Sequence, residues 1–418
     1  MFHVNQYRLP CQHLREYSQA VSTTDEEVLH LSVKEYIPFD NQDPKPGDVT
    51  ILAAHANGFT KELYEPLWDD LLQHLQKLGV SIRAIWIADA ANQGASYVLN
   101  EQKLGNEPSW FDHSRDLLHM VNFFRDRMPR PIIGMGHSMG ACQLVELSLI
   151  HPSLFSTLVL IEPAITRYYT LQDNWLAPAA SAARRDCWKN KAEAVSKLRQ
   201  IHLYQQWDSR VLDRFLQYGL RDLPTFVYPE TPTAEGGVTL TTPKYQEVFS
   251  FLRQNFPSSK YPRPERWPNK ATHPDYDPTA NQIAPFYCPA PVMAFHKLPS
   301  LRPSVLYLLG HRSHSAAEEF AKDKLALTGT GVGGSGGSAF GKVKATMLDA
   351  GHLLPLERVN DTAAAAANWI VREMEDLNSL TDENKLRWDS LSGRQKQMFS
   401  QEFYKALESG PPKLIGKL

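Results

Sequence analysis

The chain reads as an α/β fold, a mainly parallel sheet flanked by helices, interrupted by a mostly helical insertion and closed by a helical tail. Three observations lead there. Short apolar runs alternate with amphipathic segments over residues 1–165 and again over 301–375, the pattern of buried strands joined by covering helices. Residues 166–300, between those halves, are rich in aromatics and prolines and have helical stretches but no clean parallel strands. The third observation is local. An apolar run at 132–135 leads into Gly136-His137-Ser138-Met139-Gly140 and then into an apolar-periodic segment at 141–150, so strand, sharp turn and helix meet at a serine.

Each element can be justified in turn. Residues 4–9 and 28–36 read as edge strands, the second through an imperfect alternation of Val28, Leu29, Leu31, Val33 and Tyr36. A polar loop at 40–48 precedes a buried strand at 49–54, which ends at His55-Ala56-Asn57-Gly58-Phe59. Leu63, Leu67, Leu71, Leu72 and Leu75 give a helix over 61–78 its apolar face. A strand at 81–89, a helix at 110–124 and a strand at 156–161 complete the first half. Within 166–300, helical stretches fall at 189–203 and 209–218, and an insertion placed over strand ends is expected to act as a cap. The sheet pattern resumes with a strand at 304–309, a helix at 316–327, a strand at 342–348 and a helix from 359 to 374. The glycine-rich run 329–338 has no Gly-Lys-Ser/Thr ending and does not pass from strand to helix, so it reads as a flexible loop rather than a phosphate cradle. The division expected is core at 1–165, cap at 166–300, core at 301–375 and tail at 376–418. Leu386, Trp388, Met398, Phe399 and Phe403 make the tail a helical segment docked on the body or on a second copy, as in a homodimer.

The chemistry centres on Ser138. A serine hydroxyl is a weak nucleophile at neutral pH and needs a base, itself oriented by a third group. His352, in Asp349-Ala350-Gly351-His352 after the last strand, is the expected base. Glu162, at the end of the strand after the nucleophile helix, is the expected acid, with Glu318, Glu319 and Asp349 as alternatives. The oxyanion donors expected are the backbone N–H groups of Met139, next to the nucleophile, and of Phe59, with Gly58 as the alternative. His55, Asn57 and His137 are candidate substrate-binding residues, His55 and Asn57 having an equal case for holding their own loop.

Composition narrows the classes. A net charge of −2 gives no electrostatic case for nucleic acid or an acidic membrane. Cys11, Cys142, Cys187 and Cys288 show no metal-ligand spacing and imply reduced thiols in an intracellular compartment. Neither a membrane span nor a signal-peptide pattern is visible, so a soluble, non-secreted protein is expected. Nothing calls for a metal or redox cofactor. Gly416-Lys417-Leu418 resembles the peroxisomal address read by an import receptor, with glycine in place of serine; cytoplasm is the alternative.

The sequence resembles the α/β-hydrolase superfamily, and within it a fungal group of peroxisomal hydrolases that includes a peroxisomal lipase, toxin-cluster hydrolases and an acyl-CoA hydrolase of the mycophenolic acid pathway. The resemblance is carried by His55-Ala-Asn-Gly-Phe59, Lys61-Glu-Leu-Tyr-Glu-Pro-Leu-Trp68, Arg83-Ala-Ile-Trp-Ile-Ala-Asp89, Met128-Pro-Arg-Pro131 before the serine motif, Leu240-Thr-Thr-Pro-Lys-Tyr245, Gly351-His352 and the terminal tripeptide. It implies an α/β-hydrolase fold and a serine hydrolase acting on acyl-CoA thioesters or carboxylic esters in peroxisomes. In the mycophenolic pathway enzyme the acid is an aspartate after the same strand, where this chain has Glu162. The aromatic cap suits an apolar acyl group. A lipase or esterase, a non-hydrolytic acyl transfer or cyclisation, and a non-catalytic binding protein remain as rival expectations.

Overall fold

A computed structural model describes residues 1–168, 175–233, 236–256, 272–276, 285–313 and 318–411, with the backbone alone at 318, 320 and 378–385. Its centre is an eight-stranded sheet. The strands are β1 (Phe2–Pro10), β2 (His30–Pro38), β3 (Val49–Ala54), β4 (Ile82–Ala88), β5 (Ile132–His137), β6 (Thr157–Ile161), β7 (Ser304–Gly310) and β8 (Val343–Leu348). Their spatial order is β1-β2-β4-β3-β5-β6-β7-β8, parallel from β4 to β8 and antiparallel at β1 and β2.

Burial explains the sequence of each strand. Every residue of β3, β5, β6 and β7 is buried, which is why these read as continuous apolar runs. The outermost strands β1 and β8 are largely open and show mixed patterns. Only β1 of the first pair is an edge; β2 lies between β1 and β4 with most of its residues buried, which is why its alternation is imperfect.

The helices that cover the sheet are α1 (Glu65–Lys77), α2 (Gly94–Asn100), α3 (Trp110–Phe123) and α4 (Met139–Ile150). A 3₁₀ turn, Lys61–Tyr64, precedes α1, so that helix starts later than its apolar spacing predicts. Helix α4 has ten of its twelve residues buried. It packs between α3 and a later helix, Ala290–Lys297, which fits a segment that is apolar all round. The insertion holds α5 (Leu176–Ala183), α6 (Lys191–Leu198), α7 (Ser209–Tyr218), α8 (Lys244–Phe251) and α9 (Ala290–Lys297), with a short antiparallel ribbon of Cys187–Trp188, Val238–Leu240 and Leu220–Asp222. The helical pattern over 189–203 breaks into α6 and a separate turn, His202–Gln205. Helices α10 (Glu318–Leu327), α11 (Val359–Asp389) and α12 (Gln401–Glu408) follow.

The glycine-rich run is tethered, which corrects the flexible-loop expectation. Gly329 and Gly331 N–H donate to the carbonyls of Leu298 and Pro299, and Ser335 N–H to Leu301. A Cβ at Gly334 would strike the backbone of Gly329 and Pro299. Its glycines serve close backbone approach.

By compactness the chain forms two units, Met1–Ile370 and Val371–Leu418. The sheet, the insertion and every candidate site residue except the terminal tripeptide belong to the first. In the second, Leu386, Trp388, Met398, Phe399 and Phe403 are exposed, and the rings of Phe399 and Phe403 stack with centroids 4.8 Å apart. Gly416, Lys417 and Leu418 lie outside the described residues. Among the described residues no helix is long and apolar enough to cross a membrane.

Candidate active site

The strand order reverses between β3 and β5, and in open α/β sheets the crevice at the carboxyl ends of such a pair receives the ligand. Two candidate segments flank that crevice: the loop 55–59 after β3 and Ser138 after β5. Ser138 adopts φ +54° and ψ −113°, a conformation few non-glycine residues take. It is enforced from all sides. Ser138 N–H donates to Ile161 O at 2.9 Å, and its carbonyl accepts Ala164 N–H at 3.1 Å. A Cβ at Gly136 would stand 2.7 Å from Ala141 backbone atoms, and one at Gly140 would strike Ala54 O and stand 2.7 Å from His55 O. Both motif glycines are therefore required by backbone contacts.

Three side chains join in line. His352 Nε2 lies 2.9 Å from Ser138 Oγ, and His352 Nδ1 lies 3.0 Å from Glu162 Oε2. Glu162 is fully buried. Its Oε1 accepts Gly310 N–H at 2.5 Å and its Oε2 accepts the Ser313 hydroxyl. The residue has φ +47°, and its N–H donates to Leu308 O at 2.8 Å. Glu162 thus sits just after β6, while the end of β7 and the turn that follows it supply two of its donors. The histidine loop can approach because position 310 is glycine: a Cβ there would lie 2.5 Å from Ala350 O and 2.6 Å from Gly351 O. His352 keeps 42% of its side chain exposed, so a substrate can reach it. Of the alternative acids, Asp349 is exposed and paired with Arg312, and Glu319 is exposed; the side chain of Glu318 lies outside the described residues.

The three candidate substrate contacts have other duties. His137 is 1% exposed, its Nδ1 is 2.8 Å from Tyr64 Oη and its Nε2 is 3.0 Å from His352 O. Burial, with His352 alongside, pushes its pKa down to about 3, so it is neutral at ordinary pH. His55 is equally buried, with Nδ1 at 2.8 Å from Ala56 O and Nε2 accepting Ala90 N–H at 2.9 Å; burial lowers its pKa as well. Asn57 donates to Glu247 O at 2.9 Å and accepts from Gln93 Nε2 at 2.5 Å. With these groups already bonded inside the protein, His55, Asn57 and His137 position backbone rather than meet substrate. This corrects the substrate-binding expectation.

In the loop 55–59, where the oxyanion donors are expected, Gly58 N–H is committed to Gln93 Oε1 at 2.8 Å, whereas Phe59 N–H makes only a long turn contact, 3.4 Å to Ala56 O. Met139 is the first residue of α4, where N–H groups lack a partner within the helix. The Phe59 ring packs edge-on to Trp207 of the insertion, centroids 5.5 Å apart, and Trp207 meets Tyr204 and Phe215. Asp208 N–H donates to Leu356 O at 2.9 Å, in the turn just after His352. The insertion therefore touches both the loop 55–59 and the histidine segment.

Residues to which sequence reasoning gave no role lie mainly beneath the site. Lys61 Nζ is 2.6 Å from Asp89 and 3.1 Å from Glu62, and Lys34 pairs with Glu62 and Glu65, each at 3.1 Å. All but Glu65 are buried. Asp89 also accepts the N–H groups of Lys61 and Ala95, pinning the chain that leaves the loop 55–59. Tyr64, Gln93 and Ser313 carry no motif; only the Lys61-to-Trp68 stretch quoted above pointed toward one of them.

A serine on a strained strand-to-helix turn, hydrogen-bonded to a histidine beyond the last strand, over a sheet of this order, is the arrangement of α/β hydrolases, and the chain belongs to the Alpha/beta hydrolase family, whose model matches residues 51–367. The chain is 38% identical to the type I acyl-CoA thioesterase mpaH of Penicillium brevicompactum, covering 98% of this chain and 96% of that one. It is 27% identical to the abhydrolase domain-containing protein AFT2-1 of Alternaria alternata, covering 68% of this chain and 99% of that one. In fold it matches the peroxisomal alpha-beta-hydrolase Lpx1 of Saccharomyces cerevisiae with a TM-score of 0.65 at 15% identity, over 94% of this chain and 99% of that one.

Proposed function

We propose that the chain is a serine hydrolase that cleaves acyl-CoA thioesters of an apolar acyl group through a Ser138–His352–Glu162 triad, as part of fungal secondary metabolism. The observation that carries the reading is the unbroken line of contacts from Ser138 Oγ to Glu162 at 2.9 and 3.0 Å. Near-full-length similarity to an acyl-CoA thioesterase supports the thioester substrate.

In the mechanism, His352 Nε2 takes the Ser138 proton as Oγ attacks the thioester carbonyl. Glu162 holds Nδ1–H and stabilises the imidazolium. The N–H groups of Met139 and Phe59 receive the oxyanion. Collapse expels the coenzyme A thiol, which takes the proton from His352. Water then enters and attacks the acyl carbonyl as it gives a proton to His352, which returns that proton to Ser138 Oγ as the acid is released. The cap at 166–300 backs the half-buried Phe59 with the buried rings of Tyr204, Trp207 and Phe215, an aromatic surround that suits an apolar acyl chain.

The test is thiol release from acyl-CoAs of graded length and bulk, alongside p-nitrophenyl esters, for wild type and Ser138→Ala. Thioester turnover abolished by the substitution is expected. Turnover of esters alone would move the reading to a lipase or esterase, and two equally inert proteins would sink it. We further propose delivery to peroxisomes through Gly416-Lys417-Leu418 and the import receptor, tested by whether deleting the tripeptide disperses a fluorescent fusion. The exposed apolar side chains of the tail support a homodimer, checked by sedimentation of the full chain against one ending at residue 375.

A further inference from the structure

The cap grips the oxyanion loop through one buried side chain. Glu247, on α8, is 6% exposed, and its carboxyl carbon would lie 2.6 Å from a Cβ at Gly58, which has φ +82°. A Cβ at Gly58 would push that carboxylate out of place and strain the backbone. Glu247 Oε1 accepts the Ser181 hydroxyl and Oε2 accepts Arg184 Nη2, each at 2.5 Å. The backbone carbonyl of Glu247 accepts Asn57 Nδ2 at 2.9 Å, and Gln93 closes the ring by bonding both Asn57 Oδ1 and Gly58 N–H. Arg184 also reaches the Tyr204 hydroxyl, whose ring packs 4.8 Å from Trp207, itself on Phe59.

The two residues of the loop turn are therefore clamped from the cap, Gly58 by the Glu247 carboxylate and Phe59 by Trp207. Gly58 N–H, held by Gln93, fixes the Asn57–Gly58 peptide plane, and the Phe59 ring is held against Trp207, so the Gly58–Phe59 peptide and the Phe59 N–H it carries are braced at both ends. The charges matter as well as the shape. A carboxylate beside a site where negative charge develops opposes that charge unless a cation balances it. Arg184 is that cation.

We propose that Glu247 and Arg184 are positioning residues for the oxyanion hole: their ion pair seats the cap on Gly58, aims the Phe59 N–H, and leaves no net negative charge beside the oxyanion. The inference rests on the reading of Ser138 as nucleophile and Phe59 N–H as donor.

The experiment measures kcat and KM of the full chain with p-nitrophenyl butyrate, and the inhibition constant of an alkyl trifluoromethyl ketone whose adduct places an oxyanion in the hole. Removal of one oxyanion donor costs about 10²–10³ in kcat, and a donor merely misaimed should cost less. Glu247→Gln is expected to lower kcat roughly tenfold, and Arg184→Met, which leaves an uncompensated carboxylate, roughly a hundredfold. The double variant should recover to about the level of Glu247→Gln alone, because the unbalanced charge is gone. KM should stay within about threefold while the ketone weakens in step with kcat.

An unchanged kcat in Arg184→Met, a change confined to KM, or additive losses in the double variant would each overturn the proposal. Thermal melts accompany the series, and if Arg184→Met melts below the assay temperature, the shape-preserving Glu247→Gln decides alone through kcat and the ketone. Turnover that survives Ser138→Ala at the wild-type rate would instead overturn the reading of the site, and this inference with it.

Discussion

Glu162→Gln separates charge and tautomer control from shape. The replacement keeps the length of the side chain, its fully buried place beside β7 and an oxygen to accept Gly310 N–H. It removes the negative charge 3.0 Å from His352 Nδ1. With charge centres about 4 Å apart and an effective dielectric near 20, the attraction to the imidazolium formed in the transition state is about 4 kcal/mol. At about 1.4 kcal/mol per tenfold, that is close to a thousandfold in kcat. The amide can also offer Nδ1 an N–H, favouring the tautomer that leaves no lone pair facing Ser138, which pushes the loss toward about ten-thousandfold. Steady-state thiol release with a good acyl-CoA substrate measures it, with KM expected to change little. Glu162→Asp, one methylene shorter, should lose less because it keeps the charge. A Glu162→Gln protein within tenfold of wild type would refute the reasoning and return the acid to another carboxylate.

Two further predictions concern stability. Gly140→Ala drives a methyl into the backbone of Ala54 and His55, and should cost about 2 kcal/mol or more in urea unfolding, whereas Gly393→Ala, with nothing within 4 Å, should cost next to nothing. Buried His113 and His137, each with its pKa pushed down to about 3, bind protons in the unfolded chain before the folded one as pH falls below about 6.5. Stability is therefore lost between pH 6.5 and 3, partly offset between about 6 and 3.8 by Asp112, whose carboxyl is raised by burial to about 6 and so favours the fold on protonation. These three groups together give a net of one proton, or about 1.4 kcal/mol per pH unit in that window, with buried His55, its pKa also lowered, adding in the same direction; His113→Leu, replacing a ring with no hydrogen-bond partner among the described residues, should flatten the acid limb of a melting-temperature profile.

The sheet and the elbow were legible because they are written in local patterns. The runs in β3, β5, β6 and β7 are apolar because both faces are covered, and Gly136 holds short contacts within its own turn, whereas Gly140 is read from the motif although the backbone it meets is that of Ala54 and His55. Glu162 could be chosen from its place at a strand end, but not its partners: Gly310 and Ser313 come from the far side of the insertion, 148 and 151 residues later in the chain. The roles of His55, Asn57 and His137 were illegible for the same reason. A histidine beside the nucleophile looks the same in sequence whether it faces substrate or, as here, a tyrosine and a backbone carbonyl. Likewise the glycines of 329–338 spell flexibility locally, and only the segment 298–301, folded against them, turns them into close-packing positions.

The buried path from the loop 55–59 to His352 shows what the hidden residues do together. Ala56 N–H donates to Tyr64 Oη at 2.9 Å, so the phenol spends its acceptor on the loop and has its proton left for His137 Nδ1 at 2.8 Å. His137 must then carry its own proton on Nε2, which points it at His352 O, 3.0 Å away. One proton arrangement satisfies every group, and it requires a neutral ring. Burial supplies that by holding the His137 pKa near 3. Charging His137 would place an N–H on Nδ1 against the phenol proton, so the phenol would have to turn away and leave its own proton without a partner. The loop that presents Phe59 and the backbone that carries His352 are thus tied to the turn that carries Ser138 by groups whose protonation is locked. The three pieces of the site, brought from β3, β5 and β8, are thereby held in one geometry.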